Sequence, residues 1–199
     1  MGQKHVDSLI YELPTILEPI TLPALFPSPQ TLEVELGSGD GSFLVEYACR
    51  HPNHNFIGVE RLLGRARKTD RKGRRAGLAN LRLLRIESAY FLEYLLPRHS
   101  ASALHIYFPD PWPKRKHWRH RLINQRFPTL ARQALAPRGR VYLRTDDPGY
   151  YENIIGVFEA DRNFQPIETS PELASLLTDF ELHFQARGVK TRRMAYEAV

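Results

Sequence analysis

Apolar positions recur along the chain in two alternating periods. Runs of strand length stand at 31–36 (TLEVEL), 55–59 (NFIGV), 80–86 (NLRLLRI), 103–108 (ALHIYF) and 139–144 (GRVYLR). Between them the spacing predicts helices over 41–50, 62–77 and 122–135, and Pro128 in the last demands either an interruption or a helix that starts there. Strands and helices that alternate through short connections predict an α/β fold, a mostly parallel sheet with helices on both faces. Such sheets hold their ligands beyond the carboxyl ends of the strands. NFQPI (163–167) and RRMAYEA (192–198) read as two final strands at a mixed sheet edge, with TDFELHFQARG (178–188) as a helix or loop between them.

Before residue 31 the pattern is different. Residues 1–30 hold five of the 15 prolines, which forbids a long helix and predicts an extended arm over the surface of a single domain at 31–199. A chain of 199 residues with 42% apolar side chains suits one sizeable core. The first ten residues include Lys4, His5 and Asp7 and lack the apolar run of a leader, and Val6 stands where a myristoylation signal needs Ser or Thr. No stretch approaches the ~20 apolar residues of a membrane span. The expectation is a soluble, cytoplasmic protein, a monomer by default with a homodimer left open. Cys49 is the only cysteine, so no intrachain disulfide or cysteine zinc site can form, and its place beside Ala48 predicts a packed helix residue.

Charge adds a partner class. The net charge is +6, and 13 of the 28 Lys and Arg residues fall in two short segments, eight within 61–75 and five within 114–121. A polyanion such as nucleic acid is the fitting partner. The first segment reads equally well as a solvated helix face. The second contains Trp118 and follows directly on Pro113, neither of which a solvated helix needs, and it reads as an RNA contact.

Candidate chemistry begins where the first strand ends, in Glu35, Leu36, Gly37, Ser38, Gly39, Asp40, Gly41. Glycines there let the chain turn sharply and let a ligand approach the backbone. Glu60, closing the second strand in FIGVE, is placed to accept hydrogen bonds from both hydroxyls of a ribose. A dinucleotide loop needs Gly or Ala where this chain has Ser42. The spacing GxGxG behind a strand acid instead resembles the first motif of class I methyltransferases, with Glu35 facing the cationic end of S-adenosyl-L-methionine. Glu87, after the third strand, falls beside the adenine in that scheme, or is a solvated loop acid.

The most specific segment is HIYFPDPWPKRKHWRHR (105–121), in which Pro109, Pro111 and Pro113 stiffen the loop that presents Asp110. FPDPWPK followed by a basic run resembles the bacterial tRNA (guanine-N7)-methyltransferases, as do ELGSGDG, FIGVE, LRTDDPGYY and TDFELHFQARG, which together cover 31–188. The resemblance implies a Rossmann-like class I methyltransferase with a mostly parallel seven-stranded sheet, S-adenosyl-L-methionine as cofactor, and tRNA as substrate with the variable-loop guanine at position 46 as target. It implies cofactor contacts at Glu35, Gly37, Glu60, Glu87 and Asp110, with Asp110 also catalytic, and substrate contacts at Lys114, Asp146 and the segment Thr178 to Glu181. One departure is Glu87-Ser88, where such enzymes carry Asp-Ala.

N7 of guanine bears a lone pair and no proton, so attack on a sulfonium methyl needs no general base. Asp110 is therefore read as a holder of the guanine N1 and N2 hydrogens and a stabiliser of developing positive charge. Lys114, Arg115, Lys116, Arg119 and Arg121 are expected on phosphates, with Trp112 or Trp118 free to stack on a base. Asp146 reads as a second acceptor or as a helix N-terminal acid. His51 with His54, and His117 with His120, are spaced for metal ligation but lack further Cys or His partners, so no metal is expected. Rival readings are a class I methyltransferase for a small molecule or protein, a non-enzymatic RNA-binding subunit, and a nicotinamide oxidoreductase. The last lacks an evident Tyr-x-x-x-Lys pair.

Overall fold

A computed structural model describes residues 8–199; the first seven, and with them the start of the proline arm, lie outside the described residues. In chain order the elements are α1 (Leu22–Leu25), β1 (Thr31–Leu36), α2 (Ser42–Arg50), β2 (His54–Val59), α3 (Leu63–Arg75), β3 (Leu81–Leu84) and α4 (Ser88–Tyr90), which runs into a π-turn at Phe91–Leu95. They continue with β4 (Ala101–Tyr107), a 3-10 helix at Arg115–His120, α5 (Phe127–Ala134), β5 (Leu135–Thr145), α6 (Pro148–Glu159), β6 (Phe164–Ile167), α7 (Pro171–Ser175), α8 (Asp179–Gln185) and β7 (Arg192–Ala198). All seven expected strands are present. Pro128 sits in the first turn of α5, where its missing N–H costs nothing, so the helix begins there and is not interrupted.

The strands form one sheet in the order β3-β2-β1-β4-β5-β7-β6. The first five pair in parallel, while β7 runs antiparallel to both β5 and β6. Connections leave β1 toward β2 on one side, and β4 lies on the other, so the order reverses between β1 and β4. The crevice above that switch point is where a sheet of this type binds ligands.

Two apolar layers cover the sheet. On one face α1, the π-turn, α5 and α6 bury Leu25, Phe26, Phe91, Phe127, Tyr150 and Phe158 against Val34, Ile57 and Leu104. On the other, α2 and α7 bury Phe43, Tyr47 and Leu173 against Phe56, Tyr107 and Tyr142. The proline arm joins both layers: Leu9 is buried in the second, Ile20, Leu25 and Phe26 in the first, and Ile10 bridges Leu83 at the sheet edge. Cys49 corrects the reading of a packed cysteine. It lies on α2, but on the solvent side of the helix.

The second layer has a polar stratum. Because side chains alternate along a strand, Glu33 and Glu35 of TLEVEL point to the face opposite Leu32, Val34 and Leu36. Both acids are buried. Glu33 is fully partnered, with one oxygen 2.7 Å from His54 Nδ1 and the other 2.7 Å from His105 Nε2. Farther along, Arg144 of β5 is 1% exposed and lies 4.0 Å over the Tyr107 ring. Its guanidinium donates to the carbonyls of Leu173 and Leu176 (2.5 and 2.7 Å) and to Glu181 Oε2 (2.6 Å). Arg193 of β7 donates to the other oxygen of Glu181 at 2.7 Å. This pair of arginines ties α7 and α8 to the sheet.

Removing one member of a buried ion pair leaves the other uncompensated, at a cost of about 3–5 kcal/mol. Glu181→Ala is expected to lose stability on that scale, read as a fall in the urea midpoint with an unchanged denaturant slope. A loss below ~1 kcal/mol would remove Arg144–Glu181 from the interactions that hold the carboxyl-terminal helices.

Candidate active site

The cleft over the β1/β4 switch point is lined by Leu36, Gly37, Glu60, Arg61, Leu62, Arg65, Glu87, Ser88, Tyr107, Phe108, Pro109, Asp110, Trp112, His120, Leu122 and Phe180 and encloses about 600 Å³. It gathers Gly37, Glu60, Glu87 and Asp110 from four loops separated in sequence; Glu35, two residues before Gly37 on β1, is buried and does not line it.

The glycine loop is held by the neighbouring strand. The N–H groups of Gly37 and Ser38 donate to Val59 O at 2.8 and 3.0 Å, and Gly39 N–H donates to Glu60 Oε2 at 3.0 Å. Gly41 needs its glycine on two counts: φ is +77°, and an added Cβ would come within 2.3 Å of Thr69 on α3. Gly37 also has a positive φ, yet an added Cβ would meet nothing within 4 Å, so the side facing the cleft is open.

Glu35 is 4% exposed, and its Oε2 has no hydrogen-bond partner. Burial pushes its carboxyl well above the ordinary range; Arg144 opposes the shift, and the charges of Asp40 and Glu60 add to it. A buried carboxyl oxygen without a hydrogen-bond partner is uncommon and calls for an explanation. Glu60 is buried too and accepts from Leu62 N–H at 2.7 Å as well as from Gly39. Glu87 is exposed at the rim and caps α4, accepting from Ala89 and Tyr90 N–H at 3.0 and 2.8 Å.

Asp110 is exposed in the cleft, and its Oδ1 accepts from Trp112 N–H at 3.1 Å. The residues around it have uncommon backbones: Phe108 and Trp112 have φ of 54° and 42°. Non-glycine residues in that region cost ~1–3 kcal/mol each and persist only where the surroundings enforce them. Arg121 supplies part of that enforcement. It is 6% exposed, donates to Pro111 O at 2.7 Å and to Asn153 Oδ1 at 3.1 Å, and lies between the rings of Trp118 and Tyr150 at 4.4 and 4.6 Å. The expectation that Arg121 grips phosphate is therefore corrected, since its donors brace the loop. Lys114, Arg115, Lys116 and Arg119 are exposed, as is Trp118, while Trp112 lines the cleft with His120 5.2 Å away between ring centroids.

The remaining expected substrate residues lie elsewhere. Asp146 is half-buried past the end of β5, outside the cleft lining, and the acid that caps α6 is its neighbour Asp147, whose Oδ1 accepts from Tyr150 N–H at 2.6 Å. Thr178 and Glu181 form a capping box at the start of α8, and the carboxylate of Glu181, 0% exposed, is committed to Arg144, Arg193 and Thr178 N–H. The residue of that segment that reaches the cleft is Phe180, half exposed and 6.0 Å from the Phe108 ring. No periodicity marks Phe180, because its position follows from the Arg144 clamp, a contact between residues 37 apart. Lys72 adds a second tie, contacting Asp40 at 2.9 Å and Asp179 at 3.7 Å. His51 and His54 are occupied by Glu172 and Glu33.

Sheet order, glycine loop and switch-point cleft define a class I methyltransferase fold. TrmN from Thermus thermophilus shares that fold, with a TM-score of 0.61 at 18% identity over 86% of this chain and 45% of that one. Residues 29–194 match the family described as putative methyltransferase. Among curated proteins, a tRNA (guanine-N(7)-)-methyltransferase of Chromohalobacter salexigens is 39% identical over 76% of this chain and 63% of its own length. One of Nitrosomonas eutropha is 33% identical over 95% of this chain and 85% of its own. The chain belongs to the tRNA (guanine-N(7)-)-methyltransferase family.

Glutamine at position 35 keeps the shape and removes the charge. A buried acid with a raised pKa weakens the fold as pH climbs from the ordinary glutamate value of 4.5 through the raised one. Glu35→Gln is therefore expected to melt higher than the parent without ligand, by a margin that grows with pH above that value. Its affinity for a cationic ligand should fall about 10- to 100-fold, the scale of one charge-assisted hydrogen bond. Calorimetry between pH 5 and 9 reads both, and a pH-independent margin would show that Glu35 is not the destabilising group.

Proposed function

We propose that this chain transfers the methyl group of S-adenosyl-L-methionine to N7 of a guanine in tRNA, and that the guanine is the variable-loop base at position 46. The unpartnered, buried carboxylate of Glu35 beneath an open glycine loop carries the reading, because it is a preformed seat for an α-ammonium group. Glu60 fits a ribose diol, although its oxygens must share or release the Gly39 and Leu62 amides to hold one. Glu87, exposed in the cleft lining, is the residue this reading assigns to the adenine. When bound, the cofactor supplies an electrophilic sulfonium methyl.

The chain's own work is placement. N7 is already nucleophilic, so what the residues contribute is alignment of N7 with the methyl carbon and sulfur, worth several kcal/mol when a near-attack geometry is enforced. Asp110, held by the braced PDPWP loop, accepts from the N1 and N2 hydrogens of the guanine and faces the positive charge that develops on the ring. Phe108, Trp112 and Phe180 provide apolar walls for a base taken out of its stack. Exposed Lys114, Arg115, Lys116 and Arg119 supply phosphate contacts beside the cleft.

Asp110→Asn retains size and loses the charge and one acceptor. Its kcat on unmodified tRNA should fall roughly 10- to 150-fold, with the cofactor dissociation constant nearly unchanged. Full activity would remove Asp110 from the chemistry. A transcript with 7-deazaguanine at position 46 should take no label from a methyl-labelled donor while binding normally. Undiminished labelling would refute N7 of that base as the acceptor.

A further inference from the structure

The cleft does not account for α3. Its inner face is committed: Ala66, Thr69, Asp70 and Gly73 are buried, Asp70 accepts from Leu9 N–H at 2.7 Å and meets Arg74 at 3.8 Å, and Lys72 joins Asp40 and Asp179. The outer face is cationic throughout. Arg65, Arg67, Lys68, Arg71 and Arg75 on it, and Arg61 just before the helix, are exposed, and none forms an ion pair among the described residues.

Folding does not explain this face. Arg67 with Arg71, Lys68 with Lys72 and Arg71 with Arg75 are like-charged i,i+4 neighbours, an arrangement that destabilises a helix. The first turn holds Arg65 and no acid, against the helix dipole, whereas the bases of the last turn, Lys72, Arg74 and Arg75, suit it, so the dipole accounts for one end of the row and not for the rest. Position supplies a reason. Leu62 and Arg65 at the start of α3 line the cleft, and the helix then runs away from it for 13 residues, about 20 Å.

We infer that the outer face of α3 is a second phosphate-binding surface for tRNA, continuous with the cleft and reaching an arm of the RNA distinct from the loop that carries the target base. The inference rests on the proposed RNA substrate. Phosphates next to a base in the cleft lie against the PDPWP loop and the 3-10 helix, whereas Arg67, Arg71 and Arg75 repeat on successive turns farther out. They fit the backbone of an adjoining duplex. An arginine row of this kind reads charge and not sequence, so it raises affinity for tRNA uniformly and leaves the methyl-transfer step alone.

The test is equilibrium binding of unmodified tRNA, without methyl donor, across a salt series. The variant Arg67→Gln/Lys68→Gln/Arg71→Gln/Arg75→Gln spares every cleft residue. Its tRNA affinity at ~0.15 M salt should fall at least about tenfold, and its salt slope should shrink by roughly 3–4, near 0.9 for each lost contact. Its melting temperature should hold or rise, since like-charge pairs are removed. On a short stem-loop carrying only the target guanine the loss should largely vanish. The variant Arg67→Lys/Arg71→Lys/Arg75→Lys should keep near-parental affinity and slope. Unchanged whole-tRNA affinity and slope in the glutamine variant, or lysine replacements that fail equally, would overturn the inference. A parent chain that binds tRNA through α3 yet methylates none of it would refute the proposed reaction and leave this surface standing.

Discussion

Arg144 is the constraint from which the site takes its shape. A guanidinium with 1% exposure must have all its charge met by neighbours, and here the neighbours are the last carbonyls of α7, the carboxylate of Glu181 and the face of Tyr107. Satisfying that one group fixes α7 and α8 against β4 and β5. It thereby sets Phe180 in the cleft that Asp110 also lines, and it places a cation near enough to Glu35 to moderate the shift that burial imposes.

The two acids of TLEVEL show how the same residue type on one strand face can be fully satisfied in one place and left unsatisfied in the next. Glu33 and Glu35 share a strand, a face and near-complete burial. Glu33 receives a hydrogen bond at each oxygen and belongs to the interior. Glu35, two residues nearer the carboxyl end, keeps an unsatisfied oxygen where the glycine loop opens. On the proposed reading, the ammonium group of the cofactor would relieve this local instability, a trade of stability for binding.

The alternation of strand and helix was legible in the chain, down to β7 at RRMAYEA, because each element buries one periodic face. The glycine loop, Glu60 and the PDPWP segment were legible because their backbone demands leave marks in residue type. Less legible were features that depend on distant partners. Arg121 sits in a basic run and looks like its neighbours, yet Pro111 and Asn153 draw it inward. The resemblance puts Glu181 among the substrate contacts, yet Arg144 and Arg193 hold its carboxylate in the interior. Cys49 follows an alanine that packs, but one step along a helix turns the side chain by about 100°, enough to face water.

Methyl transfer to tRNA can be observed as a product, without variants. Unmodified bulk tRNA incubated with the chain and S-adenosyl-L-methionine, digested to nucleosides and separated by mass, should yield 7-methylguanosine as the single new species. Labelled RNA containing a different methylated nucleoside, or a chain that binds the cofactor and leaves tRNA unmodified while methylating a small molecule or protein, would contradict the assignment of N7 of guanine as the acceptor.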